Sequence, residues 1–202
     1  MKGRILSCVE GVLLACALLA FGYCGFVLVQ SRIFQHQQNQ ELDRLIRSRA
    51  VPAVHRLPRG SLVGRIEVQR LGLSVAVVEG SDEATLAKAA GHIEGTSLPG
   101  EDGNVGIAAH RDTFFRPLRN IRENDIIRVT TPNGSYRYRV ISMGVVTPET
   151  VSVLKSDGGQ VLTLVTCYPF TFIGSAPDRF IVRAEEVEAP AQPEASLAHP
   201  RL

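Results

Sequence analysis

Residues 125–146 read DIIRVTTPNGSYRYRVISMGVV, and their reading decides the fold class. Two runs rich in Ile, Val, Thr and Tyr flank Pro132-Asn133-Gly134. β-branched and aromatic side chains fit a pleated, half-buried surface, and Asn-Gly between alternating runs is a strong hairpin signal. Tyr136, Tyr138 and Val140 alternate with Arg137 and Arg139, the pattern of a strand with one dry and one wet face. Toward the N-terminus, GRIEV at 64–68 and LSVAVVEG at 73–80 predict two strands around a turn near Gly72, and NVGIAAH at 104–110 predicts a strand leading into His110. Toward the C-terminus, VLTLVT at 161–166 predicts a strand ending at Cys167, and RFIVRAEEV at 179–187 a last strand. DEATLAKAAG at 82–91 reads as a short helix with Asp82 near its cap and Gly91 at its end. FFRPLRNI at 114–121 reads as a helical turn interrupted by Pro117. Region 61–187 is therefore mostly β, with seven or eight short strands and two short helical pieces, the spacing of a barrel or sandwich. A closed barrel leaves no exposed edge, which suits a small domain without disulfides.

Residues 11–29, GVLLACALLAFGYCGFVLV, carry no charge and are long enough for the roughly 30 Å apolar core of a bilayer. The run exceeds the apolar part of a cleaved signal and ends at Val29-Gln30-Ser31-Arg32 without a small-residue exit, which favours a retained span. The expected organisation is an anchor over 1–30, a helical stalk and linker over 31–60, the β domain over 61–187, and a Pro/Ala-rich disordered tail over 188–202. Lys2 and Arg4 precede the span while Arg32 and Arg44 follow it, so the charge bias is small. The N-terminus is expected inside and the domain outside, since large domains translocate largely regardless of charge.

Composition narrows the class. The chain has 202 residues, 45% hydrophobic and 21% charged, which excludes a disordered polymer. A single long apolar run excludes a multi-span membrane protein. A net charge of +2 and the absence of Trp argue against a nucleic-acid surface. Cys8, Cys16 and Cys24 fall in or beside the apolar run, where small apolar residues along a helix explain them. Cys167 is then the one cysteine of the β domain, with no intradomain partner.

Chemistry collects at strand ends. His110 closes one apolar strand, Cys167 closes another, and Arg179 opens the strand after it. An imidazole can take a thiol proton or stabilise the thiolate. An arginine offers fixed charge and several donors for an oxyanion or a carbonyl. Spacing alone leaves a catalytic Cys167 and an inert core Cys167 both open.

The local strings go further. Thr163-Leu164-Val165-Thr166-Cys167 is the T-L-x-T-C signature of sortases, a family of cysteine transpeptidases. TLVTCYPF at 163–170 with GSAPDRFIVRA at 174–184 resembles the family's nucleophile strand, the following loop and the strand bearing its arginine. GHIEGTSLPG at 91–100 and GNVGIAAHRDTFFRPL at 103–118 resemble the region of its histidine. The strings are most similar to class D and related Gram-negative sortases, and they cover most of 61–187 in the family's order. One departure is Ala109, where the pattern has Gly; its methyl lies beside His110 and is expected to narrow the pocket.

The resemblance implies an eight-stranded β-barrel and covalent transpeptidation. In it, Cys167 attacks a Thr carbonyl within a Leu-Pro-x-Thr-Gly-like sorting motif of an exported protein, His110 acts as general acid and then base, and Arg179 holds substrate and stabilises negative charge. Thr166 would line the oxyanion site or contact substrate, and His92 is a second candidate near the pocket, although a capping role suits it as well. An amine on an envelope component or second protein would resolve the thioester. The resemblance implies no metal or organic cofactor, and no close-spaced ligand pair joins His92, His110 and Cys167 into a zinc site. Asp112 is read either as orienting His110 or as an exposed turn carboxylate. Two other readings remain: a thiol transpeptidase acting on peptidoglycan, and a non-enzymatic anchored barrel that binds envelope proteins.

Overall fold

The structure, a computed structural model, describes residues 2–48, 57–156, 158–171 and 174–187, with side chains from residue 9. Most of the linker expected over 51–60 and all but the first residue beyond 186 lie outside the described residues. Eight strands run β1 (Leu62–Val68), β2 (Leu73–Glu79), β3 (Ala90–His92), β4 (Gly103–Ala108), β5 (Ile126–Thr131), β6 (Gly134–Val146), β7 (Gln160–Tyr168) and β8 (Asp178–Glu186). They close into a barrel in the order β1-β2-β3-β4-β7-β8-β6-β5. The ring shuts because β1 pairs with β5, Arg65 opposite Thr130 and Glu67 opposite Arg128. Most pairs are antiparallel, but β4 and β7 run parallel, as do β2 and β3.

Alternation fills the interior. Ile66, Val77, Ile107, Ile127, Leu162, Leu164 and Val182 are fully buried in one cluster. Each such side chain contributes about 1.5–3 kcal/mol relative to exposure. Tyr138 and Val140 join the cluster while Arg139 between them is exposed, as the alternation required. Phe115 and Leu118 plug the barrel from the segment after β4, whose 3-10 turn at Arg116–Asn120 begins with Pro117 near its start.

Three local readings differ from the sequence-based expectation. The helix near 82–91 is a single turn, α2 (Glu83–Leu86), capped by the Asp82 carboxylate accepting from Thr85 N–H. The rest of that segment becomes β3, which is three residues long and too short to show a period of two. Gly91 is needed there because a Cβ would collide with the Gly80 carbonyl. The β5–β6 hairpin falls where expected, but its two turn residues are Pro132 and Asn133, and Gly134 already pairs with Thr131. With Pro132 as the first central residue, fixed near φ −65°, the positive φ that a type I′ turn needs there cannot form. The Thr131 hydroxyl braces the turn instead, accepting from Asn133 N–H at 3.1 Å.

The anchor and stalk form one helix, α1 (Lys2–Ser48). Among the described residues it is the one helix long and apolar enough to cross a membrane, and its apolar part is exposed along its length. Its polar half packs on β1 and β2. Leu42 is fully buried there. Gln35 accepts from Ala76 N–H at 2.8 Å and donates to Lys88 O at 2.7 Å. Ala76 lies where β3 is too short to cover β2, so the Gln35 amide satisfies an open strand edge.

Candidate active site

The site follows from strand register. In the parallel pair, Gly103 lies level with Gln160 and Ala108 with Val165, a constant offset of 57 residues. The ladder ends there, and the same offset carried two residues on matches His110 with Cys167. On the other side, antiparallel pairing places Cys167 directly opposite Arg179. Neighbouring strands are about 4.8 Å apart, so the thiol is flanked by the imidazole on one strand end and the guanidinium on the next. The faces agree. Ile107 and Ala109, Leu164 and Thr166, and Val182 point inward, so His110, Cys167 and Arg179 all project outward. A cleft of about 220 Å³ contains all three, together with Arg111, Asp112 and Gly174 to Ala176. Cys167 is half-buried and carries a free thiol.

Each group has support. Ala109 N–H donates to Val165 O at 3.2 Å, continuing the β4–β7 ladder to the residue before His110. The Thr166 hydroxyl donates to Ala109 O at 2.7 Å and tightens the same seam. Arg179 donates from Nη1 to Asp178 O at 3.0 Å and to Ala176 O at 3.4 Å. The carboxyl of Glu149, on the β6–β7 connection, lies below the usual carboxylate range. Its own backbone N–H and the Thr147 hydroxyl are the main causes, and the positive charge of Arg179 adds to them.

The structure therefore brings His110, Cys167 and Arg179 together. Thr166 sits beside them in sequence, but its side chain is buried and turned into the barrel, bonded to β4. The Ala109 methyl also points into the core, away from the cleft. His92 lies on β3 and lines a different cleft with Glu79 and Glu94. It is buried, with Nδ1 2.7 Å from Glu79 Oε2 and Nε2 2.9 Å from Ser97 O. Asp112 is exposed and its recorded partner is Arg111, 3.5 Å away, rather than His110. Arg111 itself is 5% exposed and reaches the loop after Cys167. Its string gave no sign of this, because Pro169 and Gly174 meet it through their backbone carbonyls, which carry no sequence signal.

A half-buried thiol, an imidazole and a guanidinium thus share one cleft on a closed barrel, an arrangement able to support a cysteine nucleophile. The model of the sortase domain family matches residues 66–187. The chain belongs to the sortase family. It is 30% identical over 129 residues to sortase D of Bacillus subtilis strain 168, covering 63% of this chain and 65% of that protein. It is 26% identical over 115 residues to sortase A of Bacillus anthracis, covering 55% and 54%. The chain thus spans less than two thirds of the length of these relatives. Among solved structures, a Clostridium perfringens sortase D5 transpeptidase superposes with a TM-score of 0.66 at 25% identity, covering 77% of this chain and 99% of that one.

Proposed function

We propose that the protein is a membrane-anchored cysteine transpeptidase that cleaves a Leu-Pro-x-Thr-Gly-like motif in exported proteins. The observation that carries this reading is the one cleft that His110, Cys167 and Arg179 line, with Cys167 directly opposite Arg179 in the β7–β8 ladder. Cys167 Sγ, as the thiolate, attacks the Thr carbonyl carbon and the carbonyl electrons move onto oxygen. Arg179 donates to that oxyanion. The oxyanion collapses, the C–N bond breaks, and His110 gives its proton to the departing amine. A thioester remains on Cys167. An incoming primary amine loses its proton to His110 and attacks the thioester, and the C–S bond breaks to return the thiolate. This is ping-pong chemistry with one covalent intermediate.

Anchorage by α1 suits a substrate that is itself at the membrane. The N-terminus lies inside and the barrel outside, where exported substrates are met, and the small charge bias around the span does not oppose this because large domains translocate largely regardless of charge. The acceptor is an amine of an envelope component or second protein.

The direct experiment incubates the full-length protein in detergent with sorting-motif peptides, with and without an amine, and follows acyl-enzyme by intact mass. An acyl adduct that maps to Cys167 and is discharged by amine is the expected result. No adduct with any sorting-motif peptide, beside turnover of peptidoglycan fragments, would replace this reading with a peptidoglycan-directed one. Labelling of Cys167 in intact cells by a membrane-impermeant thiol reagent tests the orientation, and protection until lysis would reverse it.

A further inference from the structure

We propose that Arg111 is a positioning residue that sets the direction of Arg179 by clamping the loop between β7 and β8. The proposal deepens the transpeptidase reading and rests on it for its kinetic part. Arg111 follows His110 directly and its side chain is nearly enclosed. Nη1 donates to Pro169 O and Nη2 to Gly174 O, each at 2.9 Å. One planar guanidinium thus ties together the carbonyl two residues past Cys167 and the carbonyl that opens the far arm of the loop. From Gly174 the arm runs through Ser175 and Ala176, all three in the wall of the cleft. The Ala176 carbonyl then accepts from Arg179 Nη1. The connection runs from Arg111 to Gly174, along the arm to Ala176, and on at 3.4 Å to the Arg179 guanidinium in the wall of the cleft.

The choice of residue is chemical. A buried cation is tolerated where hydrogen bonds satisfy it. A guanidinium presents several donors in a rigid fork and spans two carbonyls at once, whereas an ammonium is a compact point charge on a flexible stem. Lysine at this position therefore keeps the charge and loses the bridge. Cys167 itself is paired with Arg179 in the β7–β8 ladder, two residues beyond the end of the β4–β7 ladder at Val165, and its backbone does not depend on the bridge.

The test compares wild type, Arg111→Lys, Arg179→Ala and the double variant as full-length protein in detergent. Arg111→Gln, which retains one donor group without the charge, stands in if the lysine variant fails to fold. Arg111→Lys should lower kcat/KM for a sorting peptide about 10- to 100-fold, while alkylation of Cys167 by iodoacetamide stays within about twofold of wild type. In the Arg179→Ala background the same substitution should cost less than about threefold in acylation rate, because residues that act through one another are not additive. Amide exchange at 174–176 should quicken with β7 and β8 still protected. Full additivity with Arg179→Ala, a parallel fall in alkylation, or unchanged exchange would overturn the proposal. If wild type cleaves no sorting peptide, the transpeptidase reading fails, and the exchange and alkylation measurements still decide whether the clamp exists.

Discussion

At the scale of single residues, three side chains meet in one cleft, and the Thr166 hydroxyl ties together the strand ends that carry two of them. Cys167→Ala should abolish acyl transfer, since no other thiol faces the cleft among the described residues. His110→Ala and Arg179→Ala should each lower kcat/KM by about two orders of magnitude or more, with circular dichroism unchanged, because both project outward from an intact barrel. Near-wild-type turnover in either would strip that residue of its role. Thr166 makes a different case. Thr166→Val keeps the shape but leaves Ala109 O, buried against the seam, without its 2.7 Å donor. The expected cost is about 1–3 kcal/mol in a denaturant titration. A lower turnover should accompany it, since β4 and β7 hold His110 and Cys167 in register through this bond. Unchanged stability would mean that the carbonyl finds another donor.

At the scale of elements, what the sequence made legible was what alternation and turn chemistry encode. Runs such as VLTLVT and SYRYRVI announce their faces, and strands β1, β2 and β4 to β8 fall where those runs lie. β3 was hidden because three residues show no period, and because its neighbours favour a helix that the close pass of Gly91 by Gly80 cuts short. The site was legible as three strand-end residues and a family string, but their juxtaposition depends on a parallel register that no local pattern states. The inward turn of Thr166 follows from strand parity, as does the outward turn of Cys167 one residue later. The stalk held another surprise, since its loose apolar spacing proved to be one helix with the span. Leu42→Ala should cost about 2–5 kcal/mol, the range for a fully buried leucine. A soluble version that begins at residue 31 should accordingly be more stable and less prone to aggregate than one that begins at residue 57. The shorter form exposes both the Leu42 site and the β2 edge that Gln35 covers. Equal melting temperatures for the two would show that α1 packs without contributing.

At the scale of the whole molecule, two carboxyls set opposite slopes of stability against pH. Asp125 joins the turn after β1 to the start of β5. Arg70 reaches it at 2.6 Å from Nε, and Arg122 N–H adds a bond at 2.8 Å. Hydrogen bonding from Arg70 is the main reason its carboxyl lies below the usual range. A group depressed in the folded state stabilises above its unfolded value, about 3.9 for Asp, and loses that contribution as pH falls through the folded value. Asp125→Asn should therefore weaken the protein at pH 7, on the order of 1 kcal/mol given the half-exposed Arg70, and the difference should narrow as pH falls below about 3.9. Glu186 behaves the other way. It pairs across strands with the buried Tyr138, and burial raises its carboxyl although the Tyr138 hydroxyl partly offsets this. Its Oε2 is buried with no hydrogen-bond partner. A raised acid stabilises the folded state below its unfolded value and loses that contribution as pH rises through the folded value. Glu186→Gln keeps an acceptor for Tyr138 and removes the charge, so it should be more stable than wild type at pH 8 and indistinguishable from it near pH 4. Denaturant titrations of both variants from pH 3 to pH 8 check the pair. Parallel curves for Glu186→Gln and wild type across that range would mean that the burial of Oε2 does not raise the carboxyl.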